Sequence, residues 1–377
     1  MSTGFLVTVI IWALVVAAVL WPPRRPILLA RAVFLISVAV GELPLLFLLA
    51  FAITAVQTYR SADGVVGPAG WAFYALAVLV IAGMGVLYVR TLRARPVVAE
   101  SVGLPPHSAT EWWSGIFGFP IKPLRVERIS NVQYSGSGRE HRLDVYRLRR
   151  NPGPAPVLIF FHGGGFSGGN KYWEGRHLWY RMAAQGWVVI SANYALRPHS
   201  GYPEHLADAK RVIAFARENA DEYGLDPATV VVSGSSAGGH LAAMCALTPN
   251  LPEFQPGFES ADTHVSAAVC LYGYFGRYYG EPRGHRPSSL PADYSAADAP
   301  PVLVVHGTHD NFISVNSARR FVRYLREHSP SAVAYAELPG ANHGFDVFAG
   351  PRPRAVVDGI SHFLGREVLR TGHPRGR

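Results

Sequence analysis

The sequence predicts an α/β protein with a mostly parallel central sheet and flanking helices, preceded by three transmembrane helices. Only 16% of the 377 residues are charged, against about a quarter in ordinary soluble proteins. The apolar excess lies before residue 95, and after residue 140 short β-rich runs alternate with helical patterns. Such alternation is typical of a parallel sheet. The composition excludes a disordered or fibrous chain.

Three apolar stretches near the start of the chain are long enough to be membrane-spanning helices. They cover residues 4–21, 32–57 and 69–89, and a bilayer core takes about 20 apolar helical residues. The segment before the first stretch has no basic residue, which a cleaved signal peptide would need, so we expect a retained span. Residues 1–95 are therefore predicted to form a membrane region.

Glu42 is the one acidic residue inside these three stretches. A carboxylate within a membrane is costly and is by default a candidate for a functional role. Its neighbours Gly41 and Pro44 are instead typical of a kinked helix. We expect a structural role for Glu42, with the functional alternative open.

Arginine counts in the short loops predict the orientation of the spans. Three arginines lie between the first and second spans, one lies between the second and third, and three follow the third. The rule that positive loops stay inside then places everything after residue 90 in the cytoplasm. We expect a multi-pass membrane protein whose arginines contact anionic lipids. No basic stripe indicates binding of nucleic acid.

Residues 96–139 are predicted to be a linker or cap, because five prolines interrupt any long element. An aromatic cluster within it comprises Trp112, Trp113, Phe117 and Phe119. These rings lie either at the level of the lipid headgroups or over a site in the following domain. Residues 140–377 are predicted to form that domain. Its two cysteines, Cys245 and Cys270, fit a reducing compartment and exclude a disulfide framework.

Seven β-rich runs alternate with five helical patterns in this domain. The strands are predicted at Leu143–Leu148, Val157–Phe161, Trp187–Ala192, Thr229–Ser233, Ala267–Leu271, Val302–Val305 and Ala332–Leu338. The helices are predicted at Trp173–Gln185, Pro203–Tyr223, Ala237–Leu247, Val315–His328 and Arg354–Leu364. Ligands of such sheets bind beyond the carboxyl ends of the strands, so motifs at those ends are the candidates for function.

A G-x-S-x-G motif follows the fourth of these strands and opens a helix. It begins at Gly234, ends at Gly238 and has Ser236 at its centre. A tight turn between strand and helix holds a serine hydroxyl above the sheet, at a helix N-terminus that favours negative charge. Ser236 is therefore the candidate nucleophile. Ser235 is the weaker candidate, because it lacks glycine at both flanking positions.

A glycine run, His162 to Gly165, follows the second predicted strand. It does not end in the Gly-Lys-Ser/Thr of a phosphate-binding loop. Glycines at this place let backbone N–H groups approach a substrate oxygen. Two such donors and the amide of Ala237 would form an oxyanion hole, in which each donor is worth about 3 kcal/mol.

An acid and a histidine follow the last two predicted strands. Asp310 lies just after one strand, and His343 lies in a glycine-flanked loop after the next. A carboxylate can orient an imidazole that acts as the base for a serine, and the chain order Ser, Asp, His is one of the known orders. The rival acids are Asp298 and Asp346. The rival histidines are His306, His309 and His362.

Residues 140–366 resemble the hormone-sensitive-lipase-like branch of the α/β-hydrolase esterases. The resemblance is carried by His162–Gly165, Gly234–Gly239, Asp310, His343–Phe345 and the segment Tyr194–Pro198. It implies that Gly163, Gly234 and Gly238 belong to the two motifs. It also implies that Gly164 and Gly165 donate to the oxyanion with Ala237, and that Ser236, Asp310 and His343 form a catalytic triad.

The resemblance implies a membrane-anchored bacterial serine carboxylesterase or lipase, with no cofactor and no metal. The arginine- and alanine-rich composition is similar to that of actinobacterial proteins. A small-molecule or lipid-derived ester of short to medium chain length is expected, since no long lid is present. Phe166, Tyr172, Trp173 and Trp179 are candidates for the acyl pocket. The aromatic insertion 272–294 is either part of a cap or an exposed loop.

Two alternatives remain at this stage. One is an amide-cleaving hydrolase of the same fold, similar to an arylformamidase, and the other is a non-catalytic membrane scaffold. The sequence predicts neither the physiological ester nor the oligomeric state.

Overall fold

The computed structural model describes residues 3–60, 68–105, 117–150, 153–278, 281–282 and 284–369. The strands are β1 (Val126–Gln133), β2 (Arg142–Leu148), β3 (Ala155–Phe161), β4 (Val188–Ala192), β5 (Leu225–Ser235), β6 (Ala267–Leu271), β7 (Val302–Gly307) and β8 (Val333–Leu338). The helices are α1 (Thr3–Leu20), α2 (Ile27–Glu42), α3 (Pro44–Arg60), α4 (Pro68–Leu92), α5 (Ala94–Val102), α6 (Arg176–Ala184), α7 (Glu204–Glu218), α8 (Ala220–Tyr223), α9 (Ala237–Leu247), α10 (Val315–His328) and α11 (Pro351–Leu364).

The strands of the described residues form one sheet in the order β1-β2-β4-β3-β5-β6-β7-β8. β2 pairs antiparallel with β1 and β4, and the remaining pairs are parallel. The predicted mostly parallel sheet with flanking helices is therefore confirmed. β1 was not predicted, because its charged residues Glu127 and Arg128 interrupt the apolar pattern.

The core lies on both faces of the sheet, because side chains alternate along each strand. In β3, Val157 and Ile159 belong to the core cluster that includes residues of α7, α9 and α10, whereas Leu158 and Phe160 belong to the cluster that includes residues of α5, α6 and α11. The central strands are apolar on both sides for this reason. This packing fixes the carboxyl ends of β3, β5, β7 and β8 at one rim of the sheet.

The first four helices have a core of their own, which includes Phe5, Val16, Phe51 and Met84. The stretch 32–57 is not one helix: α2 and α3 meet at an angle of 99°. The break falls at Leu43, because Pro44 has no N–H to donate to the helix.

One helical segment among the described residues, Gly70–Val102, is long and apolar enough to cross a membrane, and the bent pair would make a second. α1 is shorter than such a span. The three transmembrane helices, the multi-pass localisation and its orientation are not confirmed and stay predictions.

In the described part of the segment 96–139, the chain forms most of α5 and all of β1. α5 tolerates Pro96 because this residue lies in its first turn, where no intrahelical N–H is needed. Val98 of α5 packs against Gly359 of α11, and β1 extends the sheet. Trp112 and Trp113 lie outside the described residues. The ring of Phe119 lies 6.1 Å from that of Phe348.

Candidate active site

Four predicted site residues lie at the carboxyl-terminal rim of the sheet. His162 follows β3, Ser236 follows β5, Asp310 lies three residues after β7, and His343 lies five residues after β8. Parallel strands end at the same edge, so residues that are far apart in the chain meet there. The rim is where ligands of such sheets bind.

Ser236 occupies a sharp turn between β5 and α9. Its φ of +55° is in the left-handed region, where a side chain is strained. The turn is held because the amide of Ser236 donates to the carbonyl of Leu271 at 2.9 Å. A Cβ at Gly238 would overlap the carbonyl oxygen of Phe161. Only glycine therefore lets α9 approach β3 this closely.

The hydroxyl, the imidazole and the carboxylate form a continuous chain. The Oγ of Ser236 lies 2.9 Å from Nε2 of His343, and Nδ1 of His343 lies 2.8 Å from Oδ2 of Asp310. Ser236 and His343 are each 7% exposed, and Asp310 is buried. This order of groups lets an imidazole take the proton of the serine while the carboxylate orients the ring.

Asp310 is held as a carboxylate by several donors. Its Oδ1 accepts hydrogen bonds from the amides of Phe312 and Ile313, at 2.9 and 2.7 Å. Nε2 of His306 lies 3.2 Å from its Oδ2. Burial alone would raise the pKa of Asp310, but His343 and His306 outweigh that effect and hold this pKa below its usual range. Asp310 therefore stays charged at neutral pH.

The glycine run lies against the serine. A Cβ at Gly163 would lie 3.0 Å from the Cβ of Ser236. Gly164 has a φ of +114°, which L residues rarely adopt. Within the described ranges, the amides of Gly164, Gly165 and Ala237 donate no backbone hydrogen bond to a loop, turn or neighbouring element. No such bond therefore competes for these N–H groups.

His162 contacts the glycine run: its Nδ1 lies 2.7 Å from the carbonyl oxygen of Gly163. Burial lowers the pKa of His162 to about 4, so its ring is neutral. The ring stacks on Tyr194 at 4.4 Å, and the Tyr194 hydroxyl donates to the carbonyl of His162 at 2.8 Å. The amide of Ala195 in turn donates to Asp208 at 2.9 Å. The segment after β4 therefore holds His162.

A buried acidic cluster behind the site was missed by sequence reasoning. The Gly163 amide donates to Oε2 of Glu174 at 2.6 Å. The Ser235 hydroxyl donates to Oδ2 of Asp346 at 2.7 Å, and the Tyr272 hydroxyl also donates to Asp346. Burial, with the charge of Asp346 nearby, raises the pKa of Glu174 to about 8. No signal in the sequence pairs these residues, because they lie far apart in the chain and no shared motif contains them.

The rival residues lie elsewhere. Ser235 points to Asp346 and not to His343. Asp298 is exposed. His309 contacts Thr308, and His362 lies on α11. His306 differs from these rivals, because its Nε2 lies 3.2 Å from Oδ2 of Asp310.

The aromatic residues expected near the site divide into packed and exposed groups. Phe166 and Trp179 are buried, whereas Tyr172 and Trp173 are exposed. In the insertion 272–294, Tyr272 lies 4.6 Å from the His343 ring, and Tyr278 lies 4.6 Å from Phe166. The insertion thus packs partly against the site; its Tyr279 lies outside the described residues. No group of three or more metal-ligating side chains occurs in the described part of the chain.

A doubly covered, mostly parallel sheet with a serine at a strand–helix turn defines an α/β-hydrolase. The profile of the BD-FAE family matches residues 143–278. The chain is 36% identical to the probable carboxylic ester hydrolase LipM of Mycobacterium tuberculosis, over 80% of this chain and 78% of that protein. It is 39% identical to the esterase LipQ of the same organism, over 67% and 66% of the two chains.

The solved structure of the apo form of Thermogutta terrifontis esterase 2 has the same fold. It superposes with a TM-score of 0.56 at 24% identity, over 69% of this chain and 99% of that one. The chain therefore belongs to the α/β-hydrolase family of carboxylic ester hydrolases, and it is an ester-hydrolysing enzyme.

Proposed function

We propose that this enzyme is a serine carboxylesterase or lipase of the hormone-sensitive-lipase-like branch, anchored in a membrane by residues 1–95. Its nucleophile is Ser236, its base is His343 and its orienting acid is Asp310. The observation that carries the proposal is the continuous chain of 2.9 and 2.8 Å contacts that joins these three side chains.

The reaction follows from these contacts. The Oγ of Ser236 attacks the ester carbonyl carbon while Nε2 of His343 takes the hydroxyl proton. The tetrahedral intermediate collapses, the C–O bond to the alcohol breaks, and His343 returns the proton to the leaving oxygen. Water, activated by the same imidazole, then hydrolyses the acyl-enzyme. Asp310 stabilises the imidazolium in both steps.

Negative charge on the carbonyl oxygen is stabilised by the amides of Gly164, Gly165 and Ala237. Their lack of backbone partners in loops, turns or neighbouring elements among the described residues supports this role. Ala237 also begins α9, whose N-terminus favours negative charge. Each donor in such a site is worth about 3 kcal/mol of transition-state stabilisation.

Labelling with a fluorophosphonate tests the nucleophile. The full chain should label, and Ser236→Ala should abolish labelling and lower kcat by about 10⁶. Ser235→Ala is the matched control, because it removes the neighbouring hydroxyl that points to Asp346, and it should still label. Labelling that persists in Ser236→Ala would contradict the assignment.

The substrate is proposed to be an ester of short to medium chain length. Hydrolysis of p-nitrophenyl esters from acetate to palmitate should be fastest below decanoate. Faster hydrolysis of a formanilide than of every ester would instead favour the amide-cleaving alternative.

Membrane anchoring is supported by the apolar residues that α1, α2 and α4 expose, among them Leu14, Leu28 and Leu79. Exposed apolar patches of this kind mark contact with lipid or a partner. The domain proposal is a membrane region over 1–95, a connecting segment over 96–139 and a catalytic domain over 140–377.

Single cysteines introduced in residues 60–68 and 96–104 test the topology in intact cells. The native Cys245 and Cys270 are buried, so they should react little with a probe. An impermeant thiol reagent should label the first set from outside and not the second. The reverse pattern would overturn the orientation, and release of the protein by carbonate would overturn the anchoring.

A further inference from the structure

One face of α2 lies directly on the loop that carries His343. Phe34, Val38 and Glu42 are spaced four residues apart, so they share this face. A Cβ at Gly344, the residue after His343, would lie 3.0 Å from Cζ of Phe34 and 3.6 Å from Cγ2 of Val38. An N-terminal helix therefore contacts the active-site loop.

Phe34 completes an aromatic group beside the imidazole. Its ring centre lies 5.1 Å from that of Phe312 and 6.3 Å from that of His343, and the Phe312 and His343 rings are 5.3 Å apart. Phe34 and Phe312 are only half-buried. Both rings thus keep apolar surface that a substrate group next to His343 can cover.

The position of α2 is fixed at its C-terminal end. Glu42 forms a buried ion pair with Arg352 of α11. A Cβ at Gly350 would overlap the carbonyl oxygen of Glu42, so the two segments are in close contact. α2 is therefore docked on the catalytic domain, which makes Phe34 a fixed part of the site's surroundings.

The remaining surface of α2 is apolar as well. Leu28, Leu35 and Ile36 are exposed on this helix. They lie about 100° to 200° around the helix from Phe34, so they point away from the face that contacts the His343 loop. Binding sites for small molecules are lined by apolar walls around a few polar groups, and on this face Phe34 and Phe312 are the apolar groups beside the imidazole.

We propose that α2 forms one wall of the ester-binding site and that Phe34 determines specificity, by limiting the size of a hydrophobic group of the ester beside His343. The inference rests on the proposed function, because it takes Ser236 and His343 as the reacting pair. It adds a substrate determinant from outside the hydrolase domain.

Two series of esters test this wall in the full chain in detergent. One series varies the acyl group of p-nitrophenyl esters, and the other varies the alcohol of butyrate esters. For each series, we compare kcat/KM of the largest ester with kcat/KM of the smallest. In Phe34→Ala, this ratio should rise about tenfold in at least one series, because one methylene group in an apolar pocket changes kcat/KM by about that factor or more. Phe34→Trp should lower the same ratio.

Leu35→Ala is the matched control, because Leu35 is the next residue of α2 and is 57% exposed. It controls for changes in how the esters partition into detergent micelles, and it should leave the kcat/KM ratios of both ester series unchanged. Phe34→Leu serves if Phe34→Ala does not fold. Fluorophosphonate labelling of each variant separates the two proposals. If every Phe34 variant labels normally and has the kcat/KM ratios of the wild type, the role of Phe34 is wrong and the proposed function stands. If the wild type itself does not label, the proposed function is wrong.

Discussion

Glu174 is the buried acid that contacts Gly163, the first glycine of the proposed oxyanion loop. Its Oε2 accepts the amide hydrogen of Gly163 at 2.6 Å, and Gly163 precedes the two proposed donors. Loss of this acceptor would let the loop move, while the triad itself stays intact. We therefore expect Glu174 to act as a positioning residue, through its contact with Gly163.

We expect Glu174→Ala to lower kcat by about 10²-fold, the loss seen when one oxyanion donor is removed, with little change in KM. Glu174→Gln should recover much of the rate, since its carbonyl oxygen can accept the same hydrogen bond. Steady-state kinetics with a p-nitrophenyl ester decide this. A Glu174→Gln enzyme as slow as Glu174→Ala would show that the charge, and not the acceptor, matters.

The same carboxyl gives stability a pH dependence. Burial raises the pKa of Glu174 from 4.5 to about 8, so the folded protein binds this proton more tightly than the unfolded chain does. Its contribution to stability is fully present below about pH 4.5 and is lost as pH rises through about 8. Glu174→Gln should therefore flatten the fall in melting temperature across this range.

Asp298→Asn is the control for this measurement, because it removes an exposed carboxyl. In this variant, the melting temperature should fall with pH as steeply as it does in the wild type. If the melting temperature falls with pH equally steeply in the wild type and in Glu174→Gln, then Glu174 does not titrate in this range.

The strand–turn–helix element at Ser236 depends on close contact between β3 and α9. A Cβ at Gly238 would overlap the carbonyl oxygen of Phe161, which is backbone and cannot rotate away. Overpacking of this kind costs about 1–3 kcal/mol. Gly238 thus contributes no side chain to the core, and its lack of a Cβ allows the turn that holds the Ser236 hydroxyl.

We expect Gly238→Ala to lower the free energy of unfolding by about that amount and to reduce fluorophosphonate labelling, because the turn must shift. Gly365→Ala is the control: this residue has helical dihedrals and open space around its Cβ position. Denaturant unfolding should show the first variant destabilised and the second unchanged or slightly stabilised. Equal stability of the two variants would contradict the overlap.

At the scale of the whole molecule, one buried ion pair joins the N-terminal helices to the hydrolase domain. Glu42 lies at the break between α2 and α3, and Arg352 lies in the first turn of α11. The structural role expected for Glu42 is thus a contact across 310 residues of sequence. A buried charge that loses its partner is strongly destabilising.

We expect Arg352→Met to destabilise the protein by about 3–5 kcal/mol, and the double variant Glu42→Leu with Arg352→Met to recover most of it. Thermal unfolding in detergent measures both. Arg319→Met is the control, because Arg319 pairs with Glu337 at the surface, where a pair contributes about 0–1 kcal/mol. A double variant as unstable as the single one would mean that packing, and not charge, joins the two parts.

Much of the site could be predicted because its signals are local. Ser236, Asp310 and His343 each follow a β-rich run, and the structure brings them within hydrogen-bonding distance. The helix over Ala237–Leu247 has the predicted bounds. β1 was missed because an edge strand with charged side chains lacks the apolar run of a central strand.

The alternation of strands and helices and the turn at Ser236 follow from the amino-acid sequence, because hydrophobic period and glycine spacing are properties of nearby residues. The hydrogen bond between Ser235 and Asp346, which are 111 residues apart, and the approach of Phe34 to His343 depend on how the chain folds. Such pairs form only where packed elements bring distant segments together. No local pattern in the sequence indicates such contacts, so the position of Phe34 beside His343 and the hydrogen bond between Gly163 and Glu174 became apparent only from the folded chain.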